Sequence, residues 1–390
     1  MPLTAYQRDA YLRHCEARVV SCAAGGRGFE VVLDDTVLYP AGGGQPSDSG
    51  SVGGLQVVDV YRDAGRAIVH LLPAALDKGA VEVVLDWPRR YDHMQQHTAQ
   101  HLITALAQQR FGAATTSFHL GSERSDIELD RGELGAAELE ALERQVNAAI
   151  REARSVRCRW VEAEQLEAAG ARSRGLPEGH QGAVRLVEIE GIDLNTCGGT
   201  HVASTAELQM VKLLGTERMR RGTRLFYLAG GRVLQAMSRW AEREQALTRL
   251  LSCGPEEQVA AVLKLSDAAR AADKARQALL GEVAAAEAER LAATSETAAS
   301  LHRPDADLAV LQQIAAAALQ SRPDLIVLLS CGDPSGAGEF LLAGPPPRVA
   351  ALAPRVGELL EGRGGGPPGR FQGKCRRLDR RGEAIALLLE

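Results

Sequence analysis

No stretch of this chain reaches the ~20 consecutive apolar residues that a membrane-spanning helix requires, so no such helix and no membrane partner is expected. Tandem repeats and long apolar heptads are also missing, which leaves no sign of a solenoid or an extended coiled coil. The seven cysteines are odd in number and scattered, unlike the framework of a small secreted domain, and a reducing compartment fits them best. Arg8, Asp9, Arg13, His14, Glu16 and Arg18 break up the first twenty residues, so nothing there can serve as the apolar core of a signal peptide, and the cytoplasm is the expected location. A net charge of only -5 gives no global attraction to phosphate; any nucleic-acid contact has to come from local basic clusters.

What is present is an ordinary globular composition: 45% apolar, 24% charged and 4% aromatic residues, with many alanines that favour helix. The length of 390 residues suits two or three domains. Two basic clusters stand out, one at 217–224 with Arg218, Arg220, Arg221 and Arg224, the other from Arg370 through Lys374 to Arg381. Taken alone, a charge run of this kind is most often a solvated face.

The pattern along the chain predicts an α+β protein in four parts. Residues 1–87 alternate short strands and glycine turns, with strands expected over 29–33, 36–39, 55–61, 67–72 and 81–85, and read as a small β-barrel. Within this part, Pro40-Ala41-Gly42-Gly43-Gly44-Gln45-Pro46 forms a shaped loop, followed by Asp48, which reads equally well as a turn residue. Residues 88–231 form an α+β unit that opens with a helix running to about Phe111, with Asp86 as its cap and Gly112 as its stop. Strands near 117–120 and 126–129, a helix over about 136–153, and strands near 184–189, 207–213 and 224–228 complete it. Residues 232–303 are almost pure helix, broken at Ser252-Cys253-Gly254-Pro255, and predict a helical hairpin, with the oligomeric state open between monomer and homodimer. Residues 304–390 read as a small α/β domain whose glycine loop at 362–369 leads into a basic amphipathic helix.

Chemistry concentrates in two pairs. His97 and His101 lie four apart on one helix face, and Cys197 and His201 repeat that spacing across Gly198-Gly199, which allows a tight loop. Two arms of two ligands supply the soft nitrogen and sulfur donors of one zinc site. Either arm alone is weak, since such histidine pairs are common on helices and a cysteine is more often a small buried hydrophobe. The residues leave open whether the zinc is catalytic or structural, because four such ligands can close a tetrahedron with no place for water. A peptidase of the His-Glu-x-x-His type is disfavoured, because Thr98 stands where that motif carries its general base.

The motifs His97-Thr98-Ala99-Gln100-His101-Leu102, Ser117-Phe118-His119-Leu120-Gly121, Gly42-Gly43-Gly44-Gln45-Pro46 and Cys197-Gly198-Gly199-Thr200-His201-Val202 together resemble the editing module of alanyl-tRNA synthetase and its free-standing AlaX relatives. The resemblance covers roughly residues 5–230, and the tail from about 304 resembles, more loosely, the C-terminal domain of the long AlaX type. It implies hydrolysis of serine, with glycine as a second candidate, from tRNA for alanine by a zinc-activated water, with no ATP-dependent charging. It also implies His97, His101, Cys197 and His201 as zinc ligands, Gly43, Gly44 and Gln45 as pocket wall, and Thr36 as the hydroxyl that meets the serine side chain. His119 would contact the terminal adenosine or the attacking water. Arg218, Arg220, Arg221 and Arg224 would meet acceptor-stem phosphates, and Arg370 and Lys374 a more distant part of the tRNA; no DNA partner is expected. Two other readings stay open: a tRNA-binding protein with a structural zinc, and a zinc hydrolase of small acyl esters.

Overall fold

The computed structural model describes residues 3–163, 166, 170–172 and 182–390. Among these it is a mixed α+β fold of eight α-helices and four sheets. It divides into two compact units, Met1–Gln245 and Ala246–Glu390.

The first unit begins with the one-turn helix α1 (Ala5–Arg8) and seven strands: β1 (His14–Gly25), β2 (Gly28–Leu33), β3 (Gly50–Val52), β4 (Leu55–Gln56), β5 (Asp59–Arg62), β6 (Ile68–Leu72) and β7 (Ala80–Leu85). They form one sheet in the order β4-β3-β7-β1-β2-β6-β5, antiparallel at each pairing. The edge strands β4 and β5 are separated in sequence by Val57 and Val58 alone. Val57 N–H donates to Gly50 O and Val58 N–H to Leu71 O, so the sheet curls until its two edges meet. Val31, Leu38, Val52, Val60, Leu72 and Val83 are fully buried inside the curl.

Two expectations change here. Residues 55–61 are two strands rather than one, because β4 pairs with β3 and β5 pairs with β6 at the opposite edge. Residues 36–39 are no strand at all. Their polar groups go elsewhere: Thr36 O accepts from Tyr6 N–H in α1, Thr36 N–H donates to Asp35, and Tyr39 N–H donates to Asp48 Oδ2. The long strand β1 carries no clear alternation, with only Ala17 and Val19 buried, which is why the sequence pattern misses it.

After this sheet comes α2 (Trp87–Phe111), capped by Asp86, which accepts from Arg89 N–H, and stopped by Gly112 in the left-handed region at φ 66°. Strands β8 (Thr115–Leu120) and β9 (Ser125–Leu129) follow, then α3 (Ala136–Arg151), whose Leu142, Val146 and Ile150 are buried. Next come β10 (Val156–Glu162), β11 (Ala183–Ile189), β12 (Asp193–Thr196), β13 (Val211–Met219) and β14 (Gly222–Ala229). They make a three-stranded sheet, β10-β11-β12, and a four-stranded sheet, β13-β14-β9-β8. Residues 207–208, expected to open a strand, belong instead to a 3-10 turn over Thr205–Leu208, because Ser204 caps it and Glu207 answers the cap. One apolar core joins α2, α3 and both sheets, with Leu102, Ile103, Ile127, Leu142, Val187 and Leu225 fully buried.

The loop at 39–48 is fastened to α2 by a buried ion pair. Arg90 and Asp48 have no exposed side-chain surface, and Arg90 also donates to Ala10 O at 2.8 Å and Val37 O at 2.6 Å. Asp48 is therefore an anchor, not a turn residue.

Helix α4 (Gly231–Leu251) leads out of this unit, and α5 (Gln258–Ala292) follows the break at 252–257. The second unit adds β15 (Ala298–His302), α6 (Leu308–Ser321), β16 (Ile326–Gly332), β17 (Gly338–Ala343), α7 (Pro346–Leu359), β18 (Arg363–Gly365), β19 (Arg370–Cys375) and α8 (Arg381–Leu389). Its sheet runs β15-β16-β17-β19-β18, with β15 and β16 parallel across the α6 crossover. Arg370 and Lys374 lie on β19, not on a helix, because Phe371 and Cys375 pair into the sheet against Leu342 and Gly338; the closing helix begins only at Arg381, as α8. No helix among the described residues is long and apolar enough to cross a membrane.

Removing one partner of a buried ion pair leaves the other charge stranded. Asp48→Ala is expected to cost about 3–5 kcal/mol, read from the urea midpoint, and pairing it with Arg90→Met should return part of that loss.

Candidate metal centre

His97 and His101 project from the middle of α2, and Cys197 and His201 from the loop that follows β12. Their four donor atoms all lie within 4.8 Å of one another, with the three histidines buried and Cys197 half-buried. Cys197 Sγ is 3.4 Å from His97 Nε2 and 3.4 Å from His201 Nε2. Ligands at about 2.0–2.3 Å around a tetrahedral ion stand roughly 3.3–3.8 Å apart, so these spacings suit such an ion.

Each imidazole is aimed by a hydrogen bond on its far side. His97 Nδ1 lies 2.8 Å from Gln45 Oε1, and that oxygen also accepts from Thr200 N–H at 3.0 Å. A backbone N–H can only donate, so Thr200 N–H fixes which end of the amide is oxygen, and the Gln45 amide nitrogen then donates to Thr200 Oγ1 at 2.9 Å. An oxygen only accepts, so His97 carries its proton on Nδ1 and presents a bare Nε2. His101 Nδ1 donates to Asp193 Oδ2 at 3.2 Å, and Arg172 holds the other oxygen of Asp193 at 2.8 and 2.5 Å. His201 Nδ1 is 3.1 Å from Thr98 Oγ1, which also accepts from Val202 N–H at 3.2 Å. Such outer partners fix tautomer and ring orientation in metal sites.

The loop that carries Cys197 is shaped by Arg185 and Gly199. Arg185 on β11 donates to Cys197 O at 3.1 Å and Gly199 O at 2.6 Å, turning the chain back on itself. A Cβ at Gly199 would stand 2.2 Å from His97 Cε1 and 2.7 Å from Gln45 Oε1, so only glycine fits. The charges agree with metal-ligand chemistry. Burial pushes the Cys197 thiol up, but the facing imidazoles of His97 and His201 pull harder, and it lies well below its ordinary value. Burial holds His201 well below the usual imidazole range. Burial also opposes charge on His101, yet Asp193 and Cys197 raise it to about 9. A thiolate thus shares the site with a proton, and a divalent cation bound there would supply the positive charge instead.

His97, His101 and Cys197 line one wall of a cavity of about 1370 Å³, and His201 is not part of that lining. Gly42, Gly43, Thr36, Phe118, Gln100 and Trp160 contribute to its lining. Gly44 and Gln45 sit behind that wall: Gly44, at φ 85°, packs on Phe118 with no space for a side chain, and Gln45 is spent on His97 and Thr200.

Among known families, the one described as "Threonyl and Alanyl tRNA synthetase second additional domain" matches residues 184–227. The alanyl-tRNA editing protein Aarsd1 of Mus musculus is 44% identical over 399 residues, covering 98% of this chain and 96% of its own length. The chain belongs to the alanyl-tRNA editing protein family. The Danio rerio protein of that name is 42% identical over 400 residues, with 98% and 96% covered. An alanine–tRNA ligase of Halobacterium salinarum is 33% identical over 271 residues, which is 65% of this chain but 29% of the ligase.

The other residues singled out in the sequence fall in three places. His119 points away from the cavity; its exposed ring lies 3.3 Å from Asp126, while neighbouring Phe118 lines the cavity 5.2 Å from the His97 ring. Arg218, Arg220 and Arg221 are exposed around the β13–β14 turn. Arg224 is half-buried and paired with Asp126 and Glu128. Arg370 and Lys374 stand on β19 of the second unit. Asp193, Arg172 and Arg185 escaped the sequence reading, and Thr98 entered it only through its motif and as the residue that disfavours a peptidase, since nothing in local pattern marks a residue whose partner lies on another element.

Loss of an outer hydrogen bond typically costs 10–100-fold in metal affinity. Gln45→Ala is expected to weaken metal binding by about that factor, and Gly199→Ala to weaken it at least as much, in a titration against a chelator of known affinity.

Proposed function

We propose that this protein hydrolyses the ester of serine wrongly attached to tRNA for alanine, with a zinc ion held by His97, His101, Cys197 and His201. The observation that carries this is the convergence of three imidazoles and a cysteine at one point beside a cavity large enough for an aminoacylated nucleotide, with His97, His101 and Cys197 in its lining. Membership of the alanyl-tRNA editing family supports the tRNA substrate. Bound zinc would supply Lewis-acid polarisation and a water of lowered pKa.

The chain's own residues do the rest. An aminoacyl ester is already activated, so addition of water at the carbonyl carbon and departure of the ribose oxygen need no protein nucleophile. Gln45, Thr98 and Asp193 hold the three rings in place and avoid reorganisation during the reaction. Gly42 and Gly43 leave the cavity wall free of side chains, so the substrate's terminal nucleotide can approach the backbone. Thr36 lines the same cavity and meets the serine hydroxyl.

In this reading residues 1–87 contribute the glycine loop, 88–231 the metal ligands, 232–303 the connection, and 304–390 a surface for the body of the tRNA through Arg370 and Lys374. Arg218, Arg220 and Arg221, exposed around the β13–β14 turn, would meet phosphates, whereas Arg224 already serves Asp126 and Glu128. All seven cysteines stand unbridged, and a thiolate ligand is safest in a reducing compartment, here taken as the cytoplasm.

The direct test compares serine-charged and alanine-charged tRNA for alanine with intact protein, a Cys197→Ala variant and a chelated sample. Selective loss of serine that falls at least about 100-fold under either treatment is the expected result. Tight tRNA binding with the ester intact would instead mean a non-catalytic protein with a structural metal, which a closed set of four ligands also permits. Replacing Arg218, Arg220 and Arg221 together by alanine should raise KM for charged tRNA and flatten its dependence on salt, each lost phosphate contact removing roughly 0.7–0.9 from the slope.

A further inference from the structure

Thr36 does not stand alone at the cavity wall. Its Oγ1 lies 2.9 Å from Nε2 of His70, a side chain on β6 with no exposed surface and no place in the cavity lining. On the other side of the ring, His70 Nδ1 lies 3.2 Å from the carbonyl oxygen of Val31, its cross-strand partner on β2. A carbonyl can only accept, so the proton of the neutral ring belongs on Nδ1. Burial keeps the ring neutral, with its pKa lowered to about 4. His70 Nε2 is then a bare acceptor, and the Thr36 hydroxyl must spend its one proton on it. Leu38 N–H donates to the same oxygen at 3.1 Å and occupies one lone pair. A single lone pair is left to face a ligand.

We infer that His70 is a positioning residue for amino-acid selectivity: by taking the Thr36 proton, it makes that hydroxyl an acceptor only, so that it rewards a ligand side chain carrying a hydroxyl donor. The inference rests on the serine reading above and deepens it. A serine hydroxyl donates to the free lone pair and completes the chain Ser–Thr36–His70–Val31. An alanine methyl in the same place covers that lone pair without satisfying it, which penalises the correct product of charging. A freely rotating threonine could turn its proton or its methyl toward the ligand and would discriminate less.

Three variants and one spectrum test this, all in the full-length, metal-loaded protein. Metal content and thermal midpoint are checked first. His70→Phe keeps an apolar ring but removes the acceptor, and is expected to lower the ratio of kcat/KM for serine-charged over alanine-charged tRNA by about tenfold. His70→Gln, whose amide oxygen can accept from Thr36, should recover most of the ratio, and Thr36→Val should abolish it. A folded, metal-loaded His70→Phe protein with the wild-type ratio overturns the inference. Should His70→Phe fail to fold, nitrogen-15 spectra of histidine-labelled wild-type protein decide: the His70 ring is expected as the Nδ1-protonated neutral tautomer, and the Nε2-protonated form overturns the inference. If the wild-type protein itself shows no preference for serine, it is the serine reading that fails, while the tautomer result still stands or falls separately.

Discussion

Hydrogen bonds from Thr200 and His97 meet at the side-chain amide of Gln45, and through it three segments far apart in sequence are held to one point. The glycine loop, the middle of α2 and the Cys197–His201 loop have no other shared contact of this kind in the described geometry. The amide works because it is both donor and acceptor: Thr200 takes the nitrogen and defines the oxygen, and the oxygen then dictates the tautomer of His97. Gly199 has to be glycine so that this amide and the His97 ring can close over it. The loop reaches that position because the buried Arg90–Asp48 pair pins its far end to the same helix, seven residues before His97. Positions seven apart lie on nearly one helix face, so one side of α2 carries both the anchor and the ligand.

Burial makes the cluster demanding. A thiolate and three imidazoles removed from water are tolerable only if each polar atom has a partner. The three Nδ1 atoms find Gln45, Asp193 and Thr98, which leaves three Nε2 atoms and Cys197 Sγ facing one centre. The same logic governs the other side of the cavity, where the Val31 carbonyl sets His70 and His70 sets Thr36. In both places a backbone or side-chain oxygen that can only accept decides the proton position of a histidine one step closer to the ligand.

Much of this was legible in the chain. Asp86 and Gly112 mark both ends of α2 because capping and left-handed stops are local chemistry, and the His97/His101 spacing follows directly from the helical repeat. The strand over 29–33, a short run rich in apolar residues, was equally clear. Strand β10, with Arg157, Cys158 and Arg159 exposed along it, was not, and neither was β1. Residues 36–39 have strand composition, but α1 and Asp48 take the hydrogen bonds a ladder would have used. The start of the basic run, residues 370–375, pairs with β17 because its apolar residues complete a sheet, and only from Arg381 does the chain turn helical.

The sequence by itself determined the identity of the four candidate ligands, the helix that presents two of them and the glycines that make room for the others, since each depends on neighbours within a few residues. Only the tertiary structure decided which nitrogen of each histidine faces inward, that Gln45 and Gly44 stand behind the cavity wall rather than on it, that His119 faces solvent, and that Thr36 is polarised by His70. The physical reason is the range of the interactions. Capping, helical spacing and turn preference act between residues close in the chain, whereas tautomers and hydroxyl orientations are set by acceptors brought from 34 to 103 positions away once the sheets and α2 have packed.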